Sequence, residues 1–254
     1  MSGRQACKPD YGNWVSSKLL FAPCLLCILF IGLSFVLPLL AIVAFLFLCF
    51  FGYFAYARYV FSPKGRNIQN KIQRLMMDYL QWDGNGKAID IGCGNASLSI
   101  KIALRYPNAE ITGIDNWGGH WEYSIGKCQS NAEIEGVSKR TSFQRASASA
   151  IPSKDETFDI AVSNLTFHEV HDVKDKKHLI KEALRVVKKG GSFVFQDLFL
   201  WRRIYGEVNE LLEAMKDWGV KQVTFVPTNR QDFIPWALKL PFMVGTIGII
   251  YGKK

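Results

Sequence analysis

The 254-residue sequence predicts an α/β fold, a mostly parallel seven-stranded sheet closed by one antiparallel strand and preceded by an N-terminal transmembrane helical hairpin. Three observations predict it. Ala88-Ile89-Asp90-Ile91-Gly92-Cys93-Gly94-Asn95 reads as a short apolar strand that turns through glycines into a helix. Further short apolar runs at Ile111–Ile114, Thr141–Arg145, Phe158–Asn164 and Ser192–Gln196 alternate with helical stretches, whereas Val220–Val226 and Gly245–Tyr251 have no helix between them and should pair antiparallel. Finally, Leu19–Ala57 is a run of 39 residues without a charge, where crossing a bilayer takes about 20.

That run is too long for one ordinary helix and suits two, Leu19–Val36 and Pro38–Ala57, with Gly32, Ser34 and Pro38 as breakers. Arg4, Lys8 and Lys18 precede it against Asp10, and Arg58, Lys64, Arg66, Lys71 and Arg74 follow it with no acid until Asp78. Positive flanks on both sides keep both ends in the cytoplasm, which two crossings permit. A single long tilted span is the alternative and would place the N-terminus on the other side. Ala55-Tyr56-Ala57 resembles a signal-peptide cleavage site, but the apolar stretch is several-fold too long for one. The expected organisation is therefore a cytoplasmic tail (1–18), the hairpin (19–57), a linker with an amphipathic helix (58–86) and a catalytic domain (87–254).

Of the formal charge of +9, +2 falls on residues 1–57 and +7 on the remainder. A basic domain tethered to a bilayer suits an anionic lipid surface. The soluble part has no arginine-rich run with interleaved aromatics, so nucleic acid is not expected as a partner. Cys24 and Cys27 have metal-like spacing but lie in the apolar run without a histidine or acid to complete a site; no metal is expected, and six scattered cysteines fit a reducing compartment.

Beyond the hairpin, Phe61-Ser62-Pro63-Lys64-Gly65 is a turn, and Ile68, Ile72, Leu75, Met76, Tyr79 and Leu80 form one apolar helical stripe. At the glycine turn, Gly92 and Gly94 let the backbone bend and approach a ligand, Asn95 can cap the helix that ends before Pro107, and the turn leaves backbone N–H groups free at the sheet edge. A helix runs from after Gly119 to about Glu135, Val173–Lys189 forms another that ends at Gly190-Gly191, and Glu207–Trp218 a last one before Gly219.

A dinucleotide-binding turn wants a third glycine at position 97, where this chain has Ser97. What stands instead is Asp90-x-Gly92-x-Gly94, followed by Asp115 at the end of the next apolar run. This resembles class I S-adenosylmethionine-dependent methyltransferases over residues from about 67 to 252, a Rossmann-like family with a reversed last strand. The resemblance implies that Gly92 and Gly94 admit the methionine part of S-adenosylmethionine, that Asp90 takes its ammonium directly or through water and that Asp115 takes both ribose hydroxyls, with Asn116 beside it and Trp117 either covering the adenine or packing in the core. Ser147-Ala148 stand where many relatives have Asp-Ala, which weakens the acceptor for the adenine amino group. Asn164 resembles the position that closes over the methionyl end, and Leu165–Asp172 the histidine-containing loop of small-molecule methyltransferases, with His168 as a base near neutral pH or as a structural histidine. His120, His171 and His178 read as surface residues.

Two loops at the carboxyl ends of strands are unusually apolar, Leu198-Phe199-Leu200-Trp201 and Phe233–Met243, with Arg202, Arg203 and Lys239 among them. They suggest an active site open to the bilayer and a lipophilic acceptor such as a quinone, a prenylated phenol or a lipid headgroup. A soluble small molecule or membrane-associated protein as acceptor, a non-catalytic cofactor-binding protein and a nucleotide-dependent oxidoreductase are the alternatives.

Overall fold

The computed structural model describes residues 8–118 and 122–254, and the chain divides into two compact units, Gly12–Ile72 on the one hand and residues 8–11 with Gln73–Lys254 on the other. In the smaller unit, α1 (Ser17–Ser34) and α2 (Leu40–Phe61) form an antiparallel hairpin joined by a short turn that contains Pro38. Both helices begin or end a few residues away from the expected limits, for local reasons. The Ser16 hydroxyl accepts the Leu19 N–H and starts α1 early. Arg58 is carried inside α2 because its guanidinium donates to the Val15 carbonyl, while Asn13 donates to the Arg58 carbonyl at 3.0 Å. Along the pair, Phe21, Leu25, Ile28, Phe45 and Leu46 are all more than half exposed, and Phe30 stacks on Phe47 at 5.6 Å. These are the two helices, among the described residues, that are long and apolar enough to cross a membrane.

Helix α3 (Ile68–Asp78) follows, and the larger unit is then built on a seven-stranded sheet. Its strands are β1 (Gly86–Ile91), β2 (Ala109–Asp115), β3 (Thr141–Arg145), β4 (Phe158–Asn164), β5 (Val187–Asp197), β6 (Gln222–Pro227) and β7 (Gly248–Lys253). They lie in the order β3-β2-β1-β4-β5-β7-β6, with β7 antiparallel to both of its neighbours. The helices are α4 (Ser97–Arg105), α5 (Ile125–Ile134), α6 (Lys177–Arg185), α7 (Arg202–Tyr205) and α8 (Val208–Asp217). Ile89, Ile91, Ile111, Ile160, Phe193, Val194 and Ile249 fill the core from the strands, since a sheet covered on both faces is apolar on both. The chain order reverses between β1 and β4, and the crevice at that point of a parallel sheet is where ligands bind.

Two elements differ from the sequence expectation. Helix α6 ends at Arg185, and Gly190-Gly191 sit inside β5 rather than after a helix. Gly190 adopts a left-handed φ of 77°, a Cβ on Gly191 would collide with the Asp159 carbonyl, and the β4–β5 register shifts between Phe158 and Ile160. The two glycines therefore form an irregularity that lets Val187 pair with Phe158 before the regular ladder begins at Ile160 and Ser192. The other difference lies at the front of α6, where the Lys176 ammonium caps the Val170 and Val173 carbonyls and holds the preceding residues as a loop.

Candidate active site

The turn between β1 and α4 is the centre of the site. Gly92 (φ 75°) and Gly94 (φ 57°) both adopt the left-handed region that glycine tolerates without strain. At Gly92 the requirement comes from packing, because a Cβ there would run into the side chain of Thr166. The backbone N–H groups of the turn are not free as the sequence suggested. Gly92 and Cys93 donate to the Ile114 carbonyl at 2.7 and 3.0 Å, and Gly94 donates to Asp115 Oδ2 at 2.9 Å. Asn95 does not cap α4: Ala96 occupies that position with φ 64°, and the Asn95 amide instead donates to the Asp10 carbonyl and accepts from the Ser124 N–H. Ser97, in place of a third glycine, is buried with its hydroxyl bonded to Gln73 at 2.7 Å and to Lys101 at 2.8 Å.

Two acids flank this turn. Asp90, on β1, is 1% exposed, and its hydrogen-bond partner is the hydroxyl of Ser99 at 2.5 Å rather than a cation. Burial pushes its pKa up to about 7, against the Ser99 bond and with a smaller push from Asp115. Asp115, at the end of β2, accepts from Gly94 N through Oδ2 and from Trp117 N at 2.7 Å through Oδ1. Burial raises its pKa as well, and these backbone bonds oppose the rise. Each Asp115 oxygen retains a lone pair for a further donor. The pair suits a ligand with a cationic amine at Asp90 and a vicinal diol at Asp115.

Trp117 takes φ 45°, and its indole N–H donates to the Gly94 carbonyl at 2.8 Å, so the ring lies back on the turn and packs against the core. Asn116 is exposed. Ser147 and Ala148 come next to Asp115 because Ala146 N donates to the Asp115 carbonyl at 3.1 Å. Ala148 is buried, and the Ser147 hydroxyl pairs with Ser149 at 2.7 Å, which itself donates to Asp172 at 2.6 Å. The loop after β4 thus brings the Asp172 carboxylate beside Ser147 and Ser149. Asn164 is committed sideways, its carboxamide oxygen accepting from Gln196 at 2.7 Å.

His168 lies on the same edge, since Ser163 and Thr166, on either side of the end of β4, both donate to the Ile91 carbonyl. Its Nδ1 is 2.7 Å from Asp197 Oδ1, and its Nε2 is 3.4 Å from Glu169. Burial alone would depress its pKa, but Asp197 and Glu169 outweigh burial and push it up to about 10. An upward shift favours the protonated ring and so, of the two expectations, the structural histidine held between two carboxylates over the neutral-pH base. Asp197, which is fully buried at the end of β5, also accepts from Phe167 N and Leu198 N. The sequence reading missed it; the available signal was an acid directly ending an apolar strand. His171 and His178 are exposed, and His120 lies outside the described residues.

The β6–β7 connection shares this edge, because Asp197 at the end of β5 and Pro227 at the end of β6 both pair with Gly248 at the start of β7. Its apolar residues divide into two groups. Ile234, Leu238 and Val244 are buried, as are Leu198 and Phe199 in the loop after β5, whereas Trp236 (84%), Phe242 (56%), Leu240 (39%) and Trp201 (37%) are exposed. Arg202, Arg203 and Lys239 are exposed beside them in sequence.

Residues 83–233 match the family model of the methyltransferase domain. The chain is 33% identical to norajmaline N-methyltransferase of Rauvolfia serpentina over 60% of its own length and 51% of that protein's. It is 29% identical to the ubiquinone/menaquinone biosynthesis C-methyltransferase of Geotalea daltonii over 50% and 52% of the two chains. It thus spans about half the length of these curated relatives. Geranyl diphosphate C-methyltransferase of Streptomyces coelicolor, solved with geranyl diphosphate and S-adenosyl-L-homocysteine, shares the fold at a TM-score of 0.57 and 14% identity, covering 75% of this chain and 80% of that one. With the sheet order, the reversed last strand and the two acids flanking a glycine turn, these matches make the chain a member of the S-adenosylmethionine-dependent methyltransferases.

Proposed function

We propose that this protein transfers a methyl group from S-adenosylmethionine to a lipophilic acceptor at a membrane surface, to which it is held by the α1–α2 hairpin. The observation that carries this reading is the exposed set Trp201, Trp236, Leu240 and Phe242, interleaved with Arg202, Arg203 and Lys239, at the sheet edge that also holds Asp90, Asp115 and His168. Such a mixture matches the boundary between headgroups and acyl chains, where tryptophan rings and long basic side chains concentrate. A relative named for ubiquinone and menaquinone biosynthesis is consistent with an acceptor of this class.

S-Adenosylmethionine supplies an electrophilic methyl on a sulfonium. The chain's own residues bind and orient. Asp90 ionises to meet the ammonium, Asp115 takes the ribose hydroxyls, Gly92 and Gly94 admit the methionyl part, and Trp117, with Asn116 beside it, walls the adenine side. Ser147 and Ala148, with Asp172 behind Ser147, bound the adenine edge, and Asn164, held by Gln196, borders the methionyl end. His168, held between Asp197 and Glu169, borders the acceptor side of the site and helps to hold a phenol or enol acceptor in line for attack.

A contact made by the N-terminal segment supports an even number of crossings. Asp10, ahead of the hairpin, is hydrogen-bonded through its backbone to Asn131 and Asn95 of the catalytic unit. An anchored chain with that contact crosses an even number of times, and the basic flanks favour the cytoplasm for both ends. The test is to incubate the full-length protein in liposomes of total lipid extract with methyl-labelled S-adenosylmethionine. Label in the organic phase supports the reading. Label confined to soluble small molecules or to protein, or bound cofactor without transfer, selects one of the alternatives.

A further inference from the structure

The segment ahead of the hairpin is gripped by buried amides that no step of the chemistry above uses. Asn131, on α5, is 2% exposed, although asparagine is a weak helix former and is seldom buried. Its Oδ1 accepts from Asp10 N at 2.8 Å, and its Nδ2 donates to the Asp10 carbonyl at 2.9 Å and to the Asn95 carbonyl at 3.0 Å. The amide thus reads the Asp10 backbone as a neighbouring strand would, and ties it to the glycine turn. Asn95, also 2% exposed, adds a bond from its Nδ2 to the same Asp10 carbonyl at 3.2 Å. Outside these amides, Tyr11 donates to Glu135 at 2.9 Å, and Lys101 lies over the Tyr11 ring at 5.2 Å. Removing the Asp10 backbone would leave both asparagines with buried, unpaired polar atoms, and such atoms are costly.

The contact reaches the cofactor turn in one residue. Asn95 follows Gly94, whose N–H is bonded to Asp115 and whose carbonyl accepts from both Trp117 and Cys128. We infer that residues 8–11 are a strap that positions the Gly92–Gly94 turn, with Asp10 and Asn131 as positioning residues for cofactor binding. The chain on one side of the membrane hairpin thereby completes the cofactor site on the other side of it in sequence. This rests on the assignment of that turn to the cofactor, and coupling between strap and cofactor is reciprocal: what the strap contributes to binding, bound cofactor returns as strap stability.

The test uses full-length protein in nanodiscs with S-adenosylhomocysteine as the probe. In the wild type, saturating probe should slow amide exchange in residues 8–11 at least ten-fold. Asn131→Asp, which keeps the shape but turns a carboxylate toward two carbonyls, should release the strap and raise the probe's Kd at least ten-fold, with exchange in β1 and β4 unchanged. Wild-type strap exchange that ignores the probe overturns the inference, as does a variant whose strap is released while its Kd stays at the wild-type value. If the variant loses exchange protection in the sheet, the wild-type measurement decides. A probe that fails to bind the wild type refutes the cofactor site instead.

Discussion

Asp90→Asn should make the cofactor-free protein more stable and the cofactor weaker. The carboxyl is 1% exposed, and its pKa is pushed from 3.8 to about 7, chiefly by burial. About three units at roughly 1.4 kcal/mol each place the cost of its charge in the folded state on the order of 4 kcal/mol. The sign follows from proton counts. Between the unfolded value of 3.8 and the folded value of about 7 the folded state holds the extra proton, so stability falls as pH rises through that window. The cost is absent below it and complete above it. Asparagine carries no charge and escapes the cost, so at pH 8 the melting temperature should rise by on the order of 10 °C. At pH 4.5 only about a quarter of that gain remains. Scanning calorimetry of wild type and variant across pH measures it, and titration with S-adenosylhomocysteine should show affinity lowered at least ten-fold, a trade of stability against function. A gain that does not vary with pH, or a variant less stable at pH 8, would refute the assignment of a desolvated acid waiting for a cation.

Asp115→Ala should remove the ribose acceptor together with the anchors of Gly94 N and Trp117 N, weakening S-adenosylmethionine by about 2 kcal/mol or more in calorimetry. His168 should titrate by NMR near 10, since its shift is upward; the stability it adds is complete below 6.5 and fades as pH rises toward 10, and a midpoint near 6.5 would restore the neutral base. Engineered cysteines at positions 5 and 254 should be labelled by an impermeant reagent from the same, cytoplasmic side, and labelling of position 5 from outside only would require a single span.

Much of the sheet could be read from the chain because its strands are short, apolar and bounded by turns. Thr141–Arg145 and Phe158–Asn164 stand where the pattern put them, and Gln222–Pro227 pairs with Gly248–Lys253 as the missing helix implied. The misread segment was Val186–Gly191, where helical spacing and a glycine pair imitate a helix end. The deciding contacts lie far away: Gly190 N bonds the Lys254 carbonyl, and Lys254 N bonds the Gly191 carbonyl. The site divides in the same way. Asp90, Gly92, Gly94 and Asp115 were legible because their spacing is local. Asn95 was read as a cap because its partner, Asp10, is 85 residues upstream, and Asp197 was overlooked because its value depends on a histidine 29 residues away.

Trp236→Glu tests the membrane-facing active site most directly. The side chain is 84% exposed, so the fold does not depend on it. Turnover of an acceptor embedded in anionic liposomes should fall at least ten-fold, while affinity for S-adenosylhomocysteine and turnover of a short-chain, water-soluble analogue of that acceptor stay within two-fold. Equal turnover of the bilayer acceptor by wild type and variant would contradict an active site that opens toward lipid.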